Sequence, residues 1–168
     1  AIEEEGATVI LVEGSYDEAV RVMAREATAS GWLVISDTSW RGYTEIPWLI
    51  MLGYTRLLDE LDEQASRPDA IFVPAGVGGL LAAAACWGAL RYGDNRPLII
   101  AVEPASAACV QASVRHGAPT PVPGPFTTVM GGLRCGEMSP AVFPAVASLV
   151  DAFVAIEDDF AFEAMRLL

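Results

Sequence analysis

Residues 70–90, AIFVPAGVGGLLAAAACWGAL, decide the fold. The apolar run at 70–74 predicts a buried strand, and the small and apolar side chains at 80–90 predict a helix. Gly76, Gly78 and Gly79 lie between the two elements. A strand that passes through glycines directly into a helix is typical of α/β proteins, which bind ligands at the carboxyl ends of their strands.

Apolar runs and helical patterns alternate along the rest of the chain as well. The pattern predicts further strands at residues 7–13, 32–36, 97–102 and 152–156. It predicts helices at residues 16–30, 46–64, 106–115 and 139–149, and one that begins at 158. Since short apolar strands alternate with helices, the expected fold is α/β, an open, mostly parallel sheet with helices on both faces.

The glycine-rich turn has the composition of a phosphate site. Glycines let backbone N–H groups approach an anion, and the N-terminus of the following helix adds partial positive charge. Leu81 stands where a dinucleotide motif has its third glycine, so a single phosphate is favoured over a pyrophosphate. In this interpretation, Gly78→Val would push methyl groups into the anion space. The alternative is a tight strand–helix turn without a ligand.

Asp37 follows the apolar run at 32–36, so it is expected at the carboxyl edge of the sheet. Trp40 and Tyr43 are close to it in sequence. A carboxyl group among aromatic rings is partly desolvated, which suits it to carry a proton. The alternative is that Asp37 caps a turn while the aromatic side chains pack in the core.

Four further residues have less specific signals. Glu103 ends a predicted strand and either faces the same site or caps the next helix. His116 lies in a polar stretch and is expected to be solvated. The cysteines lack metal-ligand spacing, so no metal site is expected. Cys109 and Cys135 flank a proline-rich loop and are expected to lie near each other.

The charge of the chain excludes several classes of function. Ten arginines, no lysine and 22 acidic residues give a net charge of −12, which argues against binding nucleic acid or an anionic membrane. No apolar run is long enough for a membrane span, and three cysteines and no signal peptide favour the cytoplasm. The missing initiator methionine and the end within a helical pattern suggest a piece of a larger protein.

Four motifs together resemble the pyridoxal-phosphate enzymes of fold type II, and within them the diaminopropionate ammonia-lyases. The most specific is D-T-x-W-x-G-Y-x-x-I-P-x-x-I-M-x-G-Y at residues 37–54, which the related dehydratases do not share. The others are A-G-V-G at 75–78, V-E-P at 102–104 and M-x-G-L-x-C-G-E at 130–137. Arg41 departs from the pattern, in which an acidic residue is frequent.

The resemblance implies α,β-elimination of 2,3-diaminopropionate to pyruvate and ammonia by a homodimer that uses pyridoxal 5'-phosphate. It implies that Asp37 handles a substrate proton. The residues implied to bind the cofactor phosphate are Gly76, Val77, Gly78, Gly79 and Leu80. Residues 1–36 would be the tail of a small domain, and 37–168 part of the large domain.

One expected part of such an enzyme is missing, because family members hold the cofactor through a Schiff base to lysine. The chain has no lysine, so it resembles a central fragment without its reactive residue. Two alternatives stay open. One is a fragment of a related lyase or dehydratase for another amino acid, and the other is a non-catalytic phosphate-binding or oligomerising module.

Overall fold

The computed structural model describes residues 2–168. They form six helices, α1 to α6, and three strands, β1 to β3, besides short 3-10 turns. The helices are Tyr16–Ser30, Glu45–Gln64, Gly79–Tyr92, Cys109–His116, Phe143–Leu149 and Asp158–Leu167. The strands are Ala70–Pro74, Leu98–Pro104 and Ala152–Ile156. The chain divides into two compact units, Ala1–Val34 and Ile35–Leu168.

The first unit contains α1, which begins and ends where the sequence predicts. Ser15 and Glu18 form a capping box: the Glu18 N–H donates to the Ser15 hydroxyl, and the Ser15 N–H donates to the Glu18 carboxylate. Gly31 ends the helix with a φ of 69°, a conformation that favours glycine. The predicted helix is therefore confirmed.

The strands predicted at 7–13 and 32–36 are wrong, since both segments are irregular in the structure. An apolar run becomes a strand only when another strand accepts its backbone hydrogen bonds. Within the described residues of the first unit, no such strand is present beside 7–13. Three of its apolar side chains, Val9, Ile10 and Leu11, are exposed there, with Leu11 91% accessible.

The second unit contains the sheet, in which β1, β2 and β3 lie side by side and run parallel. The open parallel sheet predicted from the sequence is confirmed. Its side chains alternate in burial: Val73, Ile99 and Ala101 are buried on one face, while Phe72 on the other is exposed. The carboxyl ends of all three strands meet at one edge, which is where the glycine-rich turn follows β1.

Side-chain hydrogen bonds join α2 to α3. Trp87 Nε1 on α3 donates to Asp59 Oδ1 on α2 at 2.8 Å. One turn further along, Asp62 accepts hydrogen bonds from Arg91 and from the Tyr92 hydroxyl. These bonds join α2 to the helix that begins at the glycine-rich turn.

Two predicted helices are shorter than expected, because 3-10 turns occupy part of each range. The turn Ala105–Ala107 precedes α4, and Pro140–Val142 precedes α5. The last helix and the strand before it are confirmed. Among residues 2–168, no helix has both the length and the apolar character needed to cross a membrane.

Candidate functional site

The turn between β1 and α3 presents a row of unpaired donors. In the part of the chain that the structure describes, none of the backbone N–H groups at residues 76–80 donates a hydrogen bond. Gly78 caps α3 with a φ of 95°, in the left-handed region that glycine tolerates best. Consecutive N–H groups at a helix N-terminus form a nest with positive potential, which suits an anion.

The glycines of this turn are also required by their neighbours. A Cβ at Gly76 would lie 3.2 Å from Cys135 Sγ and 3.3 Å from the Gly132 carbonyl oxygen. A Cβ at Gly78 would lie 3.2 Å from Val142 Cγ2, inside the apolar core. The expectation that Gly78→Val fills the anion space is therefore wrong, because this side chain would point into the core.

Two buried cysteines lie beside Gly76. The Cys109 thiol lies 3.5 Å from the Gly76 carbonyl oxygen, and Cys135 Sγ faces the Gly76 Cα. Both side chains therefore approach the same glycine, and their mutual proximity stays a prediction. They are not joined by a disulfide. The M-x-G-L-x-C-G-E motif at 130–137 is thus packed against the glycine-rich turn.

Asp37 lies in a short loop closed by its neighbours. The Tyr43 hydroxyl accepts a hydrogen bond from the Ser36 N–H at 2.9 Å and donates to the Ser36 carbonyl oxygen at 3.2 Å. The Trp40 and Tyr43 rings stack, with centroids 4.2 Å apart. These contacts hold the backbone on both sides of the half-buried Asp37. Arg41 lies in the same loop and is exposed.

Tyr54 on α2 connects Asp37 with the glycine-rich turn. Its hydroxyl donates to Asp37 Oδ2 at 3.5 Å, and its ring lies 3.6 Å from the position of a Cβ at Gly79. Burial, and then the negative charge of Asp37, raise the pKa of Tyr54, so the phenol stays protonated and acts as a donor. The sequence motif contains Tyr54, but no role follows from its position in the chain.

Two serines make a second connection that no sequence pattern indicates. Ser39, next but one after Asp37, and Ser139 are 100 residues apart, and their hydroxyl oxygens lie 2.7 Å apart. The backbone N–H of Ser139 donates to the Val77 carbonyl oxygen in the glycine-rich turn at 2.9 Å. The structure therefore connects the Asp37 loop with the glycine-rich turn. The sequence predicted only that both would lie at the same edge of the sheet.

Glu103 caps α4, which is one of the two alternatives left by the sequence. Its carboxylate oxygens each accept a backbone N–H at 2.8 Å, one from Val110 and one from Gln111. The side chain is fully buried. Burial raises the pKa of Glu103 to about 7, although the two N–H groups lower it in part.

We expect this carboxyl group to make stability depend on pH. Because the pKa of Glu103 is about 7 in the folded chain and near 4.5 when exposed, its contribution is fully present below pH 4.5. That contribution, up to about 3 kcal/mol of the unfolding free energy, is lost as the pH rises through 7. Urea unfolding at a series of pH values measures it.

Glu103→Gln is the control for this pH dependence, since glutamine keeps one acceptor for the N–H groups and does not titrate. Between pH 4.5 and 7, the unfolding free energy of the variant should change less with pH than that of the wild-type chain. Parallel curves for the two proteins would assign the pH dependence to other groups.

Other residues considered from the sequence lie away from this site. His116 ends α4 and is exposed, as expected. Within residues 2–168, no group of three or more His, Cys, Asp and Glu side chains is arranged to hold a metal ion.

Comparison with known proteins gives one family. The family described as "Pyridoxal-phosphate dependent enzyme" matches residues 1–168. The diaminopropionate ammonia-lyase of Salmonella typhimurium is 35% identical over 173 residues, and that of Escherichia coli K12 is 35% identical over 167. The alignments cover 99% and 97% of this chain, respectively.

A solved structure agrees with these sequence matches. The E. coli diaminopropionate ammonia lyase, in complex with an aminoacrylate-PLP azomethine reaction intermediate, superimposes with a TM-score of 0.90 and 33% identity. The match covers 99% of this chain and 43% of that one. The present chain therefore spans less than half the length of the relatives that it matches.

Proposed function

Because the chain belongs to the family of pyridoxal-phosphate-dependent enzymes, we propose that it is part of an ammonia-lyase that eliminates ammonia from 2,3-diaminopropionate. The observation that carries the proposal is the nest of unpaired N–H groups at 76–80, with Asp37 connected to it through Tyr54. The identity to diaminopropionate ammonia-lyases over nearly the whole chain supports this substrate.

The glycine-rich turn fits the phosphate of the cofactor. The N–H groups of Gly76, Val77, Gly78, Gly79 and Leu80 are unpaired within the described residues. We assign these five residues to phosphate binding. When bound, pyridoxal phosphate supplies an electron-withdrawing ring that stabilises negative charge at the α-carbon of an amino acid.

Asp37 is the group in this chain that we assign to proton transfer. The Tyr54 hydroxyl donates to Asp37 Oδ2 and so orients the carboxylate, a group that can accept a proton from a substrate held beside it. The stacked Trp40 and Tyr43 rings help to hold the loop. The role of this side chain is then to take up or return a proton of the substrate.

We call the polypeptide that contains this chain and the remaining length of its relatives the complete protein. It has to supply an amine. The chain has no lysine among its basic residues. A cofactor aldehyde needs an amine as its covalent anchor. We therefore propose that this segment provides the phosphate site and Asp37, and that a lysine in another segment provides the anchor.

The test compares the complete protein with this chain alone. With pyridoxal phosphate and 2,3-diaminopropionate, the complete protein should release pyruvate, measured with lactate dehydrogenase, and the chain alone should release none. After borohydride reduction, intact mass should show one cofactor bound covalently to the complete protein only. A stoichiometric adduct inside this chain would overturn the division of roles. If the complete protein released a keto acid from serine or threonine but not from 2,3-diaminopropionate, it would be a dehydratase.

The same proposal includes the setting of the enzyme. A cytoplasmic location is supported by three cysteines without a disulfide. A homodimer is supported by the exposed apolar side chains on α2, among them Leu49 and Leu52. We also propose that residues 1–36 are the tail of a small domain and that residues 37–168 are part of a large domain.

A further inference from the structure

We propose that Ser139 is a positioning residue, which fixes the loop carrying Asp37 against the glycine-rich turn. The inference rests on the proposed function and adds to it a residue that the four motifs do not include. Ser139 is fully buried, and it contacts both segments of the site through different atoms.

The hydroxyl of Ser139 holds the Asp37 loop. Its oxygen accepts the backbone N–H of Ser39 at 2.9 Å and shares a hydrogen bond of 2.7 Å with the Ser39 hydroxyl. The Ser39 hydroxyl also accepts the backbone N–H of Ala141 at 2.9 Å. The loop is thus held at a point two residues from Asp37. Since Ser39 is only 5% exposed, these hydrogen bonds lie away from water.

The backbone of Ser139 holds the turn. Its N–H donates to the Val77 carbonyl oxygen at 2.9 Å, so Val77 is fixed within the row of N–H groups that we assign to phosphate. Ser139 therefore links the loop of the proton-transfer group directly to the phosphate site. Misplacement of a catalytic group by about 1 Å costs up to about 10²-fold in rate.

The two contacts can be separated by mutation. Ser139→Ala removes the hydroxyl and both bonds to Ser39 but keeps the N–H that holds Val77. We expect kcat of the complete protein to fall about 10- to 100-fold, with little change in KM or cofactor affinity. Ser39→Ala keeps the bond from its own N–H to Ser139 but removes the acceptor of the Ala141 N–H, so its loss should be of similar size.

A matched control and a double variant distinguish positioning from general stability. Ser148→Ala removes an exposed hydroxyl that bonds only within α5, and it should leave kcat unchanged. If Ser139 acts through Asp37, then Ser139→Ala should have little further effect on kcat in the Asp37→Asn protein. Multiplicative losses in that double variant would mean a merely structural role and would overturn the inference.

Hydrogen–deuterium exchange tests the same inference without activity. In Ser139→Ala, residues 36–43 should exchange faster while residues 76–80 keep their rates. Unchanged exchange at 36–43 would overturn the inference even in an active enzyme. If the unchanged complete protein releases no pyruvate, the proposed function fails, while exchange still decides whether Ser139 holds the loop.

Discussion

Asp37→Asn in the complete protein is expected to lower turnover at least about 10²-fold, the lower end for loss of a general acid or base. Asparagine keeps the shape of the side chain and an acceptor for the Tyr54 hydroxyl. It cannot take up a proton, so binding should be nearly unchanged while kcat falls. Steady-state kinetics with 2,3-diaminopropionate, together with cofactor content by absorbance, measure both.

Asp69→Asn is the matched control, because it makes the same chemical change on a fully exposed side chain whose single ion pair, to Arg67, is on the surface. Such a pair contributes at most about 1 kcal/mol to stability, and the control should keep normal turnover. Near-normal turnover in Asp37→Asn would instead return Asp37 to the other interpretation of the sequence, a residue that shapes a turn.

The part of the site that sequence could predict is the part that is continuous in the chain. At 70–90 the strand, the glycines and the helix follow one another without interruption, so local patterns determine all three. Ser15 and Gly31 likewise mark the ends of α1 by local chemistry. Local patterns alone do not distinguish a phosphate-binding turn from a strand–helix turn without a ligand. The motifs make this distinction, because they indicate the family.

The features that the sequence predicted wrongly or did not indicate depend on partners elsewhere in the chain. An apolar run such as 7–13 needs a neighbouring strand, and periodicity within the run does not show whether one is present. The hydrogen bonds between Ser39 and Ser139 join residues 100 positions apart, in segments whose serines have no distinctive pattern. Tyr54, which donates to Asp37, lies on α2, and the position of α2 involves contacts with α3 such as the bond between Trp87 and Asp59.

The sequence also does not show in which direction a side chain at position 78 would point, and this direction determines the effect of Gly78→Val. The φ of 95° costs a residue with a Cβ about 1–2 kcal/mol. Contact at 3.2 Å with Val142 adds an overpacking cost of about 1–3 kcal/mol. We expect the unfolding free energy of the variant to fall by about 2–5 kcal/mol, and urea unfolding measures it.

Gly79→Ala provides the control, because Gly79 is the first residue of α3 and a Cβ there makes ordinary contact with Tyr54 at 3.6 Å. Its stability should equal or slightly exceed that of the unchanged protein, since alanine favours helix more than glycine does. Cofactor retention through dialysis should then be lost in Gly78→Val together with stability and kept in Gly79→Ala. A fully stable Gly78→Val that loses the cofactor would contradict this account, in which the cofactor is lost through destabilisation of the core.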